Sequence, residues 1–119
     1  MEKPTIALVI DDHRLAKATT LLVKAHGLRT LTYHSATEAL LDDERPTARL
    51  IVCDLFYTGA TLHNFTNQCL KLCRGVPIIL IANGSEALRN FEALAPNIAE
   101  IFEKPYIPTQ LIAAITREL

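Results

Sequence analysis

Little in this chain ties it to a membrane, a metal cage or a cross-linked scaffold. Its three cysteines are an odd number with no Cys-x-x-Cys pair, which argues against a disulfide framework or a zinc knuckle. A reducing, cytosolic compartment suits that usage. No apolar run approaches the ~20 residues that a membrane helix needs. No basic amino-terminal region leads into an apolar stretch, so no signal peptide is expected. A soluble cytoplasmic protein with no membrane partner is the expectation. The formal net charge of −1 is too small to imply nucleic acid, membrane or acidic partners, and no block of like charge reads as a tail. Gly/Ser linkers, low-complexity segments and internal repeats are lacking as well.

What remains is 119 residues, half of them hydrophobic, enough to bury one continuous core without disulfides or a structural metal. A single domain over residues 1–119 is expected. Short apolar runs alternate with longer segments of helical period. The runs are Ile6–Ile10, Thr30–Tyr33, Leu50–Cys53, Ile78–Ile81 and Ala99–Phe102.

Five amphipathic stretches accompany them. The first carries Leu15, Ala18, Leu22 and Ala25 on one stripe, with Gly27 where a C-terminal cap belongs. The second opens Ser35-Ala36-Thr37-Glu38, a capping-box pattern, and is expected to bury Ala36, Ala39 and Leu40. The third places Leu62, Phe65, Cys69, Leu72 and Cys73 on one face and stops at Gly75. The fourth starts near Ser85 and carries Leu88, Phe91 and Leu94. The last begins around Pro108, tolerated in a first turn, and carries Leu111, Ile112, Ile115 and Leu119.

Strands alternating with helices predict an α/β sheet covered on both faces. The first, third and fourth runs are nearly continuous in apolar residues, as expected for strands buried on both sides. Arg29, Thr30 and Thr32 interrupt the second, and Glu100 and Glu103 the fifth, so those two are expected at the edges. Right-handed crossovers then favour the order 2-1-3-4-5, a flavodoxin-like (βα)5 three-layer sandwich. Such a sheet binds ligands at the carboxyl ends of its strands, where the winding reverses between the first and third.

The chemistry-bearing residues fall there. The first run ends in Asp11-Asp12 and the third in Asp54, so three carboxylates are expected in one crevice. Like charges that close raise one another's pKa unless a cation compensates. An oxygen-rich site without His or Cys suits Mg²⁺, which keeps several waters and takes few carboxylates. The fifth run ends at Glu103-Lys104-Pro105, where Lys104 supplies a positive charge suited to a phosphoryl group. Taken singly, Asp11 and Asp12 could merely cap a helix and Asp54 start a turn. Three acids and a Lys-Pro at strand ends make the joint reading stronger.

The pattern Asp11-Asp12, Asp54 and Lys104-Pro105 in this strand–helix rhythm resembles the receiver domain of two-component response regulators, over essentially the whole chain. The resemblance implies that Asp54 accepts a phosphoryl group from a phosphohistidine on a histidine kinase or phosphotransfer protein. It implies Mg²⁺ held by Asp12, Asp54 and the backbone carbonyl of Phe56, with Asp11 on a metal-bound water. Lys104 would pair with the acceptor carboxylate and then with the phosphoryl group, and the Lys104–Pro105 peptide is often cis in the family. It implies a regulatory phosphoacceptor rather than an enzyme, acting only on its own phosphorylation state. The family's usual partner or dimer surface is the face of the fourth helix, fifth strand and fifth helix. No DNA-binding segment is present, so nucleic acid is not expected as a partner of this domain.

Departures from the family pattern concern output. The position five after Pro77, usually Thr or Ser, is Ala82, whose methyl cannot donate a hydrogen bond. Three before Lys104, where an aromatic usually moves, stands Ile101. Thr58 and Leu62 replace a common proline and glycine, and Asn83 or Ser85 could stand in as donors. These changes motivate a second reading, a pseudo-receiver that binds partners without phosphorylation. A flavodoxin is set aside, because Asp11-Asp12-His13 would repel a phosphate. Cys53, Cys69 and Cys73 read as packing residues, and His13 as a solvated first-turn residue rather than a proton shuttle. His26, His34 and His63 share no ligand spacing. Tyr106 is expected to pack against the last helix, and Asn83-Gly84 to mark a loop.

Overall fold

Among the described residues eight elements follow in order: β1 (Thr5–Ile10), α1 (His13–Ala25), β2 (Arg29–Tyr33), α2 (Ala36–Leu41), β3 (Leu50–Asp54), β4 (Ile78–Ala82), β5 (Ile98–Glu103) and α3 (Pro108–Glu118). The computed structural model describes residues 3–43, 47–54, 76–82, 98–104 and 106–119. The expected third and fourth helices, with Cys69, Cys73 and His63, lie outside the described residues. So do Phe56, Thr58, Asn83, Ser85 and Pro105.

The strands form one parallel sheet in the order β2-β1-β3-β4-β5, the flavodoxin-like arrangement expected from strand character. Ile6 to Ile10 and Leu50 to Cys53 are fully or almost fully buried, because helices cover both faces of the central strands. On one face Ile6, Leu8 and Ile10 meet Ala16 and Val23 of α1 and Leu111, Ile112 and Ile115 of α3. On the other, Ala7, Val9, Ile51 and Cys53 meet Ala36 and Ala39 of α2. Between Ile78 and Ile79 the β4–β5 register slips. Ile78 pairs with Ile98 and Ile79 with Glu100, leaving Ala99 as the extra residue.

Local chemistry sets the helix ends. Asp12 caps α1, and Gly27, at φ 78°, turns the chain out of it, a left-handed conformation that glycine adopts without steric cost. Ser35 caps α2 by accepting a hydrogen bond from the Glu38 amide at 3.0 Å. Glu38 answers through Oε2, which accepts from His34 N–H at 3.3 Å, one residue beyond the usual partner. Thr20 and Thr32 hydroxyls, 2.8 Å apart, fasten α1 to β2.

Two packing expectations need correction. In α1 the residues that reach the sheet are Ala16, Thr19 and Val23, while Ala18 and Ala25 are exposed. Leu15 and Leu22 lie half-buried at the flank, because α1 is rotated so that its smaller side chains sit against the strands. Leu119 is exposed rather than in the core, since it lies past the last residue of α3 and beyond the sheet.

Candidate functional site at the carboxyl rim of the sheet

Ile10 and Asp54 are register partners at the ends of β1 and β3, and the Asp11 amide donates to the Asp54 carbonyl at 3.3 Å. That pairing brings Asp11, Asp12 and Asp54 to one rim of the sheet. Asp12 takes an extended conformation, and its Oδ1 accepts from the amides of Arg14 at 2.9 Å and Leu15 at 3.1 Å. The capping role weighed for it from sequence is therefore real. The Leu15 amide is the largest influence holding the Asp12 pKa below the ordinary carboxylate value; the Arg14 amide and the charges of Lys104 and Arg14 act the same way.

The Asp54 side chain is 1% exposed and Lys104 reaches it with Nζ 2.7 Å from Oδ1. Apart from that ion pair, neither carboxylate oxygen has a hydrogen-bond partner among the described residues. Burial pushes the Asp54 pKa up, Lys104 opposes the shift, and the charges of Asp11 and Asp12 add to it. The expected meeting of Asp54 with Lys104 is thus present, within the field of the acid pair.

Among the described residues, no three His, Cys, Asp or Glu side chains are gathered into a group able to hold a metal ion. Asp11, Asp12 and Asp54 therefore do not form a preassembled cage. Among the described residues, Asp54 nonetheless offers a buried oxygen outside its ion pair with Lys104, near the charges of Asp11 and Asp12. Such a donor set fits a hard cation that keeps most of its ligands as water, and fits neither zinc nor copper.

Neighbouring side chains complete the rim. His34, directly after β2, places Nδ1 3.2 Å from the Ile10 carbonyl and stacks its ring on His13 at 3.9 Å. A carbonyl only accepts, so Nδ1 of His34 carries the proton. Sequence spacing gave no reason to join these two histidines. The usable signal was that β2 ends beside β1, at the same rim. His13 is exposed, as expected, and His26 ends α1 with Nδ1 2.9 Å from the Leu22 carbonyl.

Tyr106 joins the core on the α1/α3 side and tilts against Phe102 at 6.2 Å between ring centres. Burial pushes its phenol pKa up, the Asp54 charge adds to this, and the Thr19 hydroxyl lowers it. Tyr106, Leu15, Leu22 and Leu111 line an apolar groove of about 670 Å³ between α1 and α3, with Lys104 at its edge. Ile101 is half-buried against the other core. Ala82 stands in β4 opposite Glu103 of β5.

A five-stranded parallel sheet in this order, with acids at the β1 and β3 ends and a lysine after β5, defines the receiver class of α/β fold. Comparison with known proteins agrees. The chain is similar over 98% of its length to the non-phosphorylated HemR receiver domain of Leptospira biflexa, with a TM-score of 0.77, 20% identity and 94% of that chain covered. It is similar to a CheY-like response regulator receiver domain protein of Methanospirillum hungatei, with a TM-score of 0.76, 17% identity, and 98% and 94% of the two chains covered. In sequence it is 25% identical over 118 residues to the response regulator protein TmoT of Ectopseudomonas mendocina, 99% of this chain and 54% of that protein. It is 26% identical over 116 residues to the DNA-binding response regulator MtrA of Mycobacterium leprae, 96% of this chain and 50% of that protein. The chain spans about half the length of these curated relatives. No family model matches. The chain has the CheY-like receiver fold.

Proposed function

We infer that this chain is a receiver domain of two-component signalling in which Asp54 accepts a phosphoryl group. The observation that carries the reading is the Asp54 carboxylate: closed off from solvent, touched by Lys104 at 2.7 Å, and otherwise unsatisfied among the described residues. A merely structural carboxylate would be expected to have its oxygens paired when buried.

In the proposed reaction an Asp54 oxygen attacks the phosphorus of a partner's phosphohistidine. An O–P bond forms, the P–N bond breaks, and the leaving imidazole takes a proton. Asp12, Asp54 and the Phe56 carbonyl would hold Mg²⁺, with Asp11 on one of its waters. When bound, that ion would supply positive charge to the phosphoryl oxygens. Lys104 supplies a second fixed charge and can follow the group as negative charge moves outward from Asp54. The Asp12 carboxylate is kept ionised by the Leu15 and Arg14 amides, whichever role its second oxygen takes.

The partner is a histidine kinase or phosphotransfer protein, and the apolar groove beside Lys104 offers a helix a place to dock. The longer relatives suggest an output module joined to such a domain, DNA-binding in the case that MtrA's name describes. A cytoplasmic location accords with this role; no described helix is long and apolar enough to cross a membrane.

Intact mass after treatment with acetyl phosphate tests the reading. Wild type gains one phosphoryl mass in Mg²⁺ and none in EDTA, and Asp54→Asn gains none. Unlabelled wild type under every donor would leave the pseudo-receiver reading, which Ile101 favours: a half-buried aliphatic side chain packed against the core lacks the aromatic ring that the family's switch moves.

A further inference from the structure

The opposite rim of the sheet carries a second polar site. There the amino-terminal ends of β2, β1 and β3 enclose a pocket of about 490 Å³, within the size range of small-molecule sites. Its lining includes Lys3, Pro4, Thr5, Arg29, Thr47 and Arg49, and among the described residues contains no acid. The backbone places these groups side by side. Thr5 pairs with Arg29, the Arg29 amide donates to the Pro4 carbonyl at 2.9 Å, and the Arg49 amide donates to the Thr5 carbonyl at 2.9 Å.

Paired residues in a parallel sheet share a face, and alternate residues return to it. Thr5, Arg29 and Arg49 therefore continue downward the face that carries Ala7, Leu31 and Ile51 above them. That face is apolar under α2 and changes to cationic where α2 no longer covers it. Among the described residues, no ion pair involves Lys3, Arg29 or Arg49. Three positive groups at the starts of adjacent strands repel one another, and an anion between them relieves that repulsion. Guanidinium forks suit phosphate oxygens in particular, and Pro4 adds an apolar wall.

We propose that this pocket binds a small anion bearing two phosphates, free or carried on a nucleoside. It lies about 16 Å along β1 from the carboxyl rim and does not depend on phosphorylation of Asp54.

The test is titration of the full chain in EDTA with pyrophosphate, ADP and adenosine, followed by calorimetry and by amide chemical shifts. Pyrophosphate and ADP are expected to saturate, adenosine is not, and shifts should gather at residues 3–5, 29–31 and 47–49. Pyrophosphate against ADP separates a free diphosphate from a nucleoside-borne one. Arg29→Gln and Arg49→Gln should each weaken binding about tenfold, and added salt should weaken it further. Both side chains are exposed and their structural hydrogen bonds run through the backbone, so the variants keep the fold; unchanged amide spectra elsewhere would show it. Absence of saturation at millimolar ligand overturns the proposal. So does undiminished binding in the double variant, or shifts that gather instead at Asp11, Asp12 and Asp54.

Discussion

Lys104 and Asp54 form an unequal pair: the lysine keeps 32% of its side chain exposed, while the carboxylate it touches is 1% exposed. Removing one partner is therefore not equivalent to removing the other. Asp54→Asn takes a charge out of a dry site and lets Lys104 turn to water. It should stabilise the metal-free protein by about 1–2 kcal/mol. Lys104→Met leaves the buried charge alone and should destabilise by about 1–3 kcal/mol. Urea denaturation at neutral pH in EDTA measures both, and equal effects of one sign would contradict the asymmetry.

The same carboxylate sets a pH dependence. Its pKa in the folded state is raised above the usual 3.8, chiefly by burial. Its stabilising contribution is therefore complete below 3.8 and is lost as pH rises through the folded-state value. Asp12 has the opposite sign: its pKa is lowered, so its contribution is present above the ordinary value and lost as pH falls. Denaturation midpoints across acidic pH should lose the first slope in Asp54→Asn and the second in Asp12→Asn.

Asp12 caps α1 and is also expected to approach Mg²⁺, and two substitutions separate these roles. Asp12→Ala removes the cap and should destabilise the protein in EDTA. Asp12→Asn retains a capping oxygen and should cost much less, yet weaken the Mg²⁺-dependent rise in melting temperature as much as Ala does. If Asn preserves that rise, the carboxylate has only the capping role.

Ser35 begins a helix of six residues, too short to persist on propensity alone. Ser35→Ala should cost about 1 kcal/mol and speed amide exchange across Ala36–Leu41. Exchange that stays unchanged there would mean that burial of Ala36 and Ala39 alone holds α2.

Arg117 joins Glu100 through two contacts from Nη2, at 3.1 and 2.8 Å, with both side chains partly in water. Glu100→Gln is expected to change stability by less than about 1 kcal/mol, and by less still in high salt. A larger loss would show that α3 depends on this pair for its docking.

The architecture was legible because each strand announces its surroundings. Val52 and Ile79 belong to unbroken apolar runs covered twice, while Arg29 and Glu100 mark edges wetted on one side. The site was legible at the level of strand ends, since any acid just past β1 or β3 reaches the same rim. Helix rotation was not. Leu15-Ala16 and Leu22-Val23 are adjacent apolar pairs, so two stripes about 100° apart compete and only the shape of the sheet decides. Nor could spacing reveal the stack of His34 on His13, or the hydrogen bond that Tyr33 donates to Asp42 at 2.5 Å. Those partners meet through the return of the chain, and no periodicity encodes such a meeting. Asp54's unsatisfied oxygen likewise becomes visible only once its neighbours are placed.

The extra residue Ala99 has an effect at the far end of its strand. Side chains alternate between faces, so one additional residue reverses the phase of everything after it. Ile98 and Ile101 consequently reach one core, and Phe102 the other. Lys104, two positions past Phe102, inherits that phase and arrives beside Asp54. A regular ladder with Ala99 paired to Ile79 would shift every later residue by one and present Glu103 where the ammonium now stands, confronting an acid with an acid.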